Sequence, residues 1–207
     1  MEAYLIRHGE TEQNVDNTLI GGRSNHLPIN PKGEEQARKL GERLKRGNVT
    51  FDSVYASIAL RTLQTATRVC EVMGFPTERI VQSDKIQELS QGDWEGKPRK
   101  EVYTEKVMAS IRRDPWNFRN ASGESQKMAE DRMLAWLNSL LEPPDSKPEH
   151  VIAAFTHGLA IRCLLRGLLN FDCRKTYLME TGNTSITKVR FNGKCWVPIT
   201  INDTAHL

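Results

Sequence analysis

Arg7-His8-Gly9 sets a guanidinium and an imidazole side by side at the end of a short apolar run, Ala3-Tyr4-Leu5-Ile6. A neutral imidazole is a nucleophile, and a guanidinium is the side chain best shaped to grip phosphate. Gly9 lets the backbone approach closely whatever sits there. The pattern returns at Phe155-Thr156-His157-Gly158, where an apolar run again ends in His-Gly and a helical pattern begins at once. Backbone N–H groups at a helix start attract anions, which makes this a seat for phosphate. Arg61, in Ser57-Ile58-Ala59-Leu60-Arg61-Thr62, falls in the first turn of another helical stretch. A cation there opposes the helix dipole unless something negative binds it. One Arg-His-Gly alone reads most simply as a hydrogen-bonded structural histidine. Two strand-end His-Gly units and an arginine at the same edge point instead to phosphoryl chemistry.

These residues need strands that end at a common edge. Ala3–Ile6 reads as a buried strand, and Pro31 with Gly33-Glu34-Glu35 opens a helix whose Ala37, Leu40 and Leu44 share a face. A strand over 52–56 and a helix over 60–73 follow, the helix stopped by Gly74-Phe75-Pro76. Ile80-Val81 is a short third strand. Residues 125–141 pattern as an amphipathic helix closed by Pro143-Pro144. Val151–Phe155 is continuously apolar, as a central strand buried on both faces must be, and a helix over 158–169 follows it. Residues 184–191 alternate as a strand, and Asn192-Gly193 turns the chain into a last strand near Trp196–Ile199. Alternating strands and helices predict an α/β fold: a mostly parallel central sheet, helices on both faces, and an antiparallel edge from the final hairpin. Ligands bind at the carboxyl ends of strands in such sheets.

Residues 92–122 break this rhythm. They are polar, aromatic and basic, with Trp94, Lys97, Arg99, Lys100, Arg112, Arg113, Trp116, Phe118 and Arg119. Long insertions in compact domains are commonly functional, so this one is a candidate cap over the strand ends. At 207 residues the chain suits one domain, 1–207, with the cap at about 92–122. A net charge of +3 without a Lys/Arg run gives no reason to expect nucleic acid. No apolar stretch approaches the length of a membrane span. Cys70, Cys163, Cys173 and Cys195 form no Cys-x-x-Cys pair, so buried free thiols and a cytoplasmic location are expected. The chain is in its first strand by residue 3, and no leader peptide is expected.

Taken together, the motifs resemble those of the histidine phosphatase superfamily, the phosphoglycerate mutase-like fold. Arg7-His8-Gly9-Glu10-Thr11 matches its signature, and Asn14, Arg61, Glu88 and His157-Gly158 fall where its other functional residues are expected. Tyr55-Ala56-Ser57, Arg61–Ala66, Glu88-Leu89, Gly92–Gly96, Gly123-Glu124-Ser125 and Asn183-Thr184-Ser185 add weaker echoes in the same order along the chain. The resemblance implies a three-layer sandwich with a small helical cap. It also implies that His8 attacks phosphorus and becomes a phosphohistidine. Arg7, Arg61 and His157, the last as an imidazolium, would surround the equatorial oxygens, with Asn14 and the Gly158 amide as neutral donors. Glu88 would protonate the leaving alkoxide and later take a proton from water, and must carry a proton near neutral pH to begin. Glu10, Asp93 and Glu95 are rivals for that acid; Glu88 is preferred because it follows the third strand.

No cofactor or metal is implied, because two guanidiniums and an imidazolium can supply the charge. The partner implied is a small phosphorylated metabolite, and the pattern leaves a homodimer open. Ile58 stands where proline is common and Thr156 where serine is frequent. The Gly21–Pro28 loop is a residue longer than the common form, which leaves open whether Arg23, Ser24 or Asn25 faces substrate. His26, His150 and His206 read as bland. A phosphomonoesterase is favoured over a mutase, whose family members tend to be longer, and over an inactive phospho-ligand binder.

Overall fold

The computed structural model describes residues 1–142 and 147–207. The Pro143-Pro144 stop lies outside the described residues. In chain order the elements are β1 (Glu2–Arg7), α1 (Glu12–Val15), α2 (Pro31–Arg46), β2 (Ser53–Ser57), α3 (Leu60–Met73) and β3 (Ile80–Ser83). Then come α4 (Arg99–Val102), α5 (Glu105–Arg113), α6 (Gln126–Ser139), β4 (Val151–Thr156), α7 (Gly158–Leu169), β5 (Ile186–Phe191) and β6 (Trp196–Asp203). The described strands form one sheet in the order β3-β2-β4-β1-β5-β6. β3, β2, β4 and β1 run parallel, and β5 and β6 add the antiparallel edge. Mixed sheet and flanking helices are those the sequence predicts.

Alternation along the strands divides the core between the two faces. Ile6, Val54, Ala56, Ala153 and Phe155 pack against Ala37, Leu40 and Leu44 of α2 and against Ala66, Val69 and Cys70 of α3. On the other face Leu5, Ile152, Ala154 and Val189 meet Met133, Trp136 and Leu137 of α6 and Ile161, Leu164 and Leu165 of α7. β4 alternates strictly between these two clusters, which accounts for its unbroken apolar sequence. Helix starts are capped as their sequences dictate. Asn30 Oδ1 accepts from Gly33 N at 2.8 Å ahead of Pro31, and Ser125 Oγ accepts from Met128 N at 3.2 Å.

Three boundaries depart from the sequence reading. The single turn α1 was not expected; it is held by a capping box between Thr11 and Asn14. β5 begins at Ile186 rather than 184, because Thr184 turns at φ 56° instead of extending. β6 continues past Ile199 to Asp203, whose carboxylate pairs with Arg43 of α2 at 2.8 Å. Residues 92–122 contribute no strand to the sheet. They hold a short turn at Gly92–Trp94, then α4 and α5.

Backbone bonds lace their start to the segment after α1, with Ile20 N donating to Lys97 O and Arg99 N to Thr18 O. A second tie crosses from α7, where Arg166 forks onto the buried Glu130 of α6 and lies 4.1 Å from the Trp116 ring.

Candidate active site

β1 and β4 pair in register, Arg7 beside Thr156, so His8 and His157 leave the sheet together. Their rings sit edge to face with centroids 5.3 Å apart. The strand end is closed by two glycines in contact. A Cβ on Gly9 would lie 2.7 Å from Gly33 O, and one on Gly33 would lie 2.3 Å from Glu10 O. Only glycine at both positions lets the head of α2 dock against the His8 loop.

His8 is buried at 4% exposure, and its Nδ1 lies 2.7 Å from Gly9 O. A carbonyl only accepts, so Nδ1 carries the proton and Nε2 keeps its lone pair. Burial, with the Arg61 and Arg7 charges beside it, holds the imidazole well below the usual histidine pKa. A chamber of about 210 Å³ opens in front, lined by Arg7, His8, Asn14, Arg61, Glu88 and Arg99, with polar loop residues around them. Of the described residues lining it, Glu88 is the only carboxylate.

Each neighbour is held by identifiable contacts. Arg7 Nη1 donates to Thr181 O at 2.7 Å, while its buried Nε has no partner. Gly158 makes room for that guanidinium, since a Cβ there would stand 3.3 Å from Arg7 Nε. Burial pushes the Arg7 pKa down, and that of Arg61 down to about 10, which leaves both charged at neutral pH. Arg61 donates to Ser24 O and Gly22 O, so it shapes the Gly21–Pro28 loop as well as the chamber. Asn14 Oδ1 accepts from Thr11 N and Asn183 Nδ2, which leaves its NH2 as the donor for a ligand. Asn183 Nδ2 also reaches His8 O at 3.0 Å. Glu88 sits at the head of α7, accepting from Leu159 N at 3.1 Å and Ala160 N at 2.9 Å, and from Leu89 N at 2.9 Å.

The rival carboxylates are occupied or remote. Glu10 pairs with Lys32 at 2.8 Å, a bond that lowers its pKa. Glu95 accepts from the Arg23 and Ser24 amides, and Asp93 is exposed; none of the three lines the chamber.

Two sequence expectations need correction. His157 does not line the chamber. It is fully buried behind Arg61, whose Nη2 donates to Nδ1 at 3.1 Å, while Nε2 donates to Ser57 Oγ at 3.0 Å. Burial and the Arg61 charge hold its pKa well below the usual value, so it is a neutral support for Arg61 rather than an imidazolium. Arg23 also turns away, its guanidinium 3.1 Å from Glu124.

Other residues went unassigned from sequence. Arg99 lines the chamber from the cap side. Arg132 donates to Gln87 O and Lys85 O and braces the segment that carries Glu88. His206 is buried, with Nε2 2.9 Å from Thr184 Oγ1 beneath the Asn183 turn. Of the cap cations, Arg112 pairs with exposed Glu105 instead of facing inward. Neither Arg99 nor Arg132 sits in a local motif; a basic residue near the cap was the only signal for the first.

The family model of the histidine phosphatase superfamily (branch 1) matches residues 3–204. The chain belongs to this superfamily. A probable phosphoglycerate mutase GpmB from Salmonella choleraesuis is 30% identical over 216 residues, covering 100% of this chain and 95% of that one. Among solved structures, YhfR of Bacillus stearothermophilus superposes with a TM-score of 0.85 at 26% identity, covering 99% of this chain and 98% of its own. A phosphoserine phosphatase from Entamoeba histolytica, solved with phosphoserine, gives a TM-score of 0.83 at 25% identity, covering 100% and 98%. No helix among the described residues is long and apolar enough to cross a membrane.

Proposed function

We propose that this histidine phosphatase relative is a phosphomonoesterase that hydrolyses a small phosphorylated metabolite through a phosphohistidine on His8. The observation that carries the reading is the His8 tautomer: Nδ1–H is committed to Gly9 O, and Nε2 is the nitrogen left toward the chamber. Nε2 attacks phosphorus in line, the P–O bond to the alcohol breaks, and the Glu88 carboxyl gives its proton to the departing oxygen. Glu88 then takes a proton from water as that water attacks the phosphohistidine. The P–N bond breaks, phosphate leaves, and His8 and protonated Glu88 are restored.

Arg7, Arg61 and the Asn14 NH2 hold the phosphoryl oxygens, and the Gly158 amide adds a donor at the head of α7. His157 keeps Arg61 aimed. Charge at the transition state comes from the guanidiniums, so turnover needs no metal or other cofactor. Residues 92–122 act as the cap of a single domain. The free cysteines fit a reducing, cytoplasmic setting.

The GpmB relatives named as probable phosphoglycerate mutases favour a second reading, return of the phosphoryl group to another oxygen of the same acid. One assay separates them: phosphate release and isomerisation of 3-phosphoglycerate, measured together in EDTA across a panel of phosphomonoesters. Phosphate release that vanishes in His8→Ala supports the phosphatase; isomerisation without release moves the assignment to mutase. Release that persists in His8→Ala refutes both.

A further inference from the structure

Beside the phosphate chamber lies a second, larger cavity of about 420 Å³. Its wall is mainly aromatic and aliphatic: Trp94, Tyr103, Phe118, Met108 and Ile111 from residues 92–122, and Leu89 from the body. Trp94 meets Tyr103 edge to face at 5.9 Å and Phe118 at 6.0 Å, so the aromatic wall is one packed unit. The two cavities adjoin. Arg99 lines both, and the consecutive residues Glu88 and Leu89 line one each. The acid that would protonate the leaving oxygen therefore stands at the threshold between them. An ester with its phosphoryl group at His8 would place its alcohol portion in the larger cavity.

Of the charged groups of this cavity, Glu124 is paired with Arg23 at 3.1 Å and Arg132 at 2.9 Å, Arg99 lies 5.3 Å from the Tyr103 ring centroid, and Arg119 is exposed to solvent. One buried polar atom of the lining lacks a partner. Gln126 is 3% exposed, its Nε2 donates to Pro115 O at 3.1 Å, and its Oε1 has no partner. A buried amide oxygen without a donor is costly, and a ligand donor would relieve it.

We propose that the substrate is a phosphomonoester of an alcohol bearing a flat aromatic or heteroaromatic ring with an N–H or O–H donor, the ring lying in this cavity and the donor on Gln126 Oε1. The proposal rests on the phosphatase reading for turnover, but its binding component does not need hydrolysis. A small acid such as phosphoglycerate would leave the aromatic cavity unfilled.

The test compares alkyl phosphates of similar leaving-group reactivity: 2-(indol-3-yl)ethyl, 2-phenylethyl and propyl phosphate, with 3-phosphoglycerate alongside. Burying one ring predicts kcat/KM for the phenylethyl ester roughly 10- to 100-fold above the propyl ester. The indole N–H predicts a further gain, which Gln126→Leu removes by roughly fivefold while sparing the phenylethyl ester. Ile111→Trp, which plugs the cavity without deleting a core contact, should collapse the ring preference.

Equal kcat/KM for phenylethyl and propyl esters, or a clear preference for 3-phosphoglycerate, overturns the proposal. If no ester is hydrolysed, the phosphatase reading has failed, and calorimetric binding to His8→Ala protein still decides this one. Tighter binding of the ring-bearing esters supports it, and equal affinities overturn it.

Discussion

Because the Gly9 carbonyl holds the proton-bearing Nδ1 of His8, the nucleophile needs no separate base to free Nε2. Arg7 and Arg61 then serve twice: they disfavour protonation of His8, and they are the charges that receive phosphate. Glu88, the only carboxylate among the described residues lining the chamber, is the group assigned to the leaving oxygen. Glu88→Gln should therefore slow alkyl phosphate esters by about 100- to 10,000-fold, the span of general acid catalysis. Aryl phosphates, whose leaving groups need little protonation, should lose far less; equal losses in steady-state assays would move the acid role elsewhere. At this scale the sequence placed Arg7, His8 and Arg61 at one edge, and the structure brings all three to the lining of one chamber. It left open the side chain of Arg23, a loop cation whose partner Glu124 is distant in sequence. For His157 it could not show the contact that holds the ring, because a helix-start histidine carries no sign that an arginine will lie against its Nδ1.

The elements bring these residues together through pairings of different legibility. Apolar periodicity showed β1, β2, β4, α2, α3 and α7, since each buries one face or both. It could not show the turn at Asn183-Thr184, whose residue types suit a strand but whose conformation follows from bonds to Arg7 O and His8 O. Nor could it show that Arg132 of α6 would brace the Glu88 segment. Arg132→Met should lower kcat more for alkyl than for aryl esters, copying Glu88→Gln more mildly, because the acid is displaced and not deleted. A KM effect alone would show that Arg132 is merely structural. Between α6 and α7, the Arg166–Glu130 pair is a cross-tie of opposite charges. Arg166→Leu should destabilise by about 3 to 5 kcal/mol by stranding the buried Glu130 carboxylate. In urea unfolding, adding Glu130→Leu should recover much of that loss; additive losses would show that packing, not charge, is what Arg166 supplies.

Over the whole molecule, three buried histidines set a common pH response. Burial, with nearby arginines, depresses the pKa of His8 and His157, and that of His206 to about 4. The unfolded chain takes up protons at these residues below about pH 6.5, while the fold does not. Their contribution is therefore complete above that pH and is lost as pH falls, for His206 between about 6.5 and about 4. Scanning calorimetry should show Tm dropping from pH 7 to pH 5, with a shallower slope in His206→Gln; an unchanged slope would remove His206 from the account. The mixed sheet and its flanking helices were readable from residue order, whereas the aromatic cavity was not, because its wall comes from helices without a sheet to frame them.

The most direct test of the phosphatase account is alkali-quenched labelling of the protein by a substrate carrying a radioactive phosphoryl group. The account predicts label on the peptide containing His8, appearing before free phosphate, discharged to water on a chase, and absent from His8→Ala. Phosphate release with no labelled protein at any time, or label that persists in His8→Ala, would contradict it.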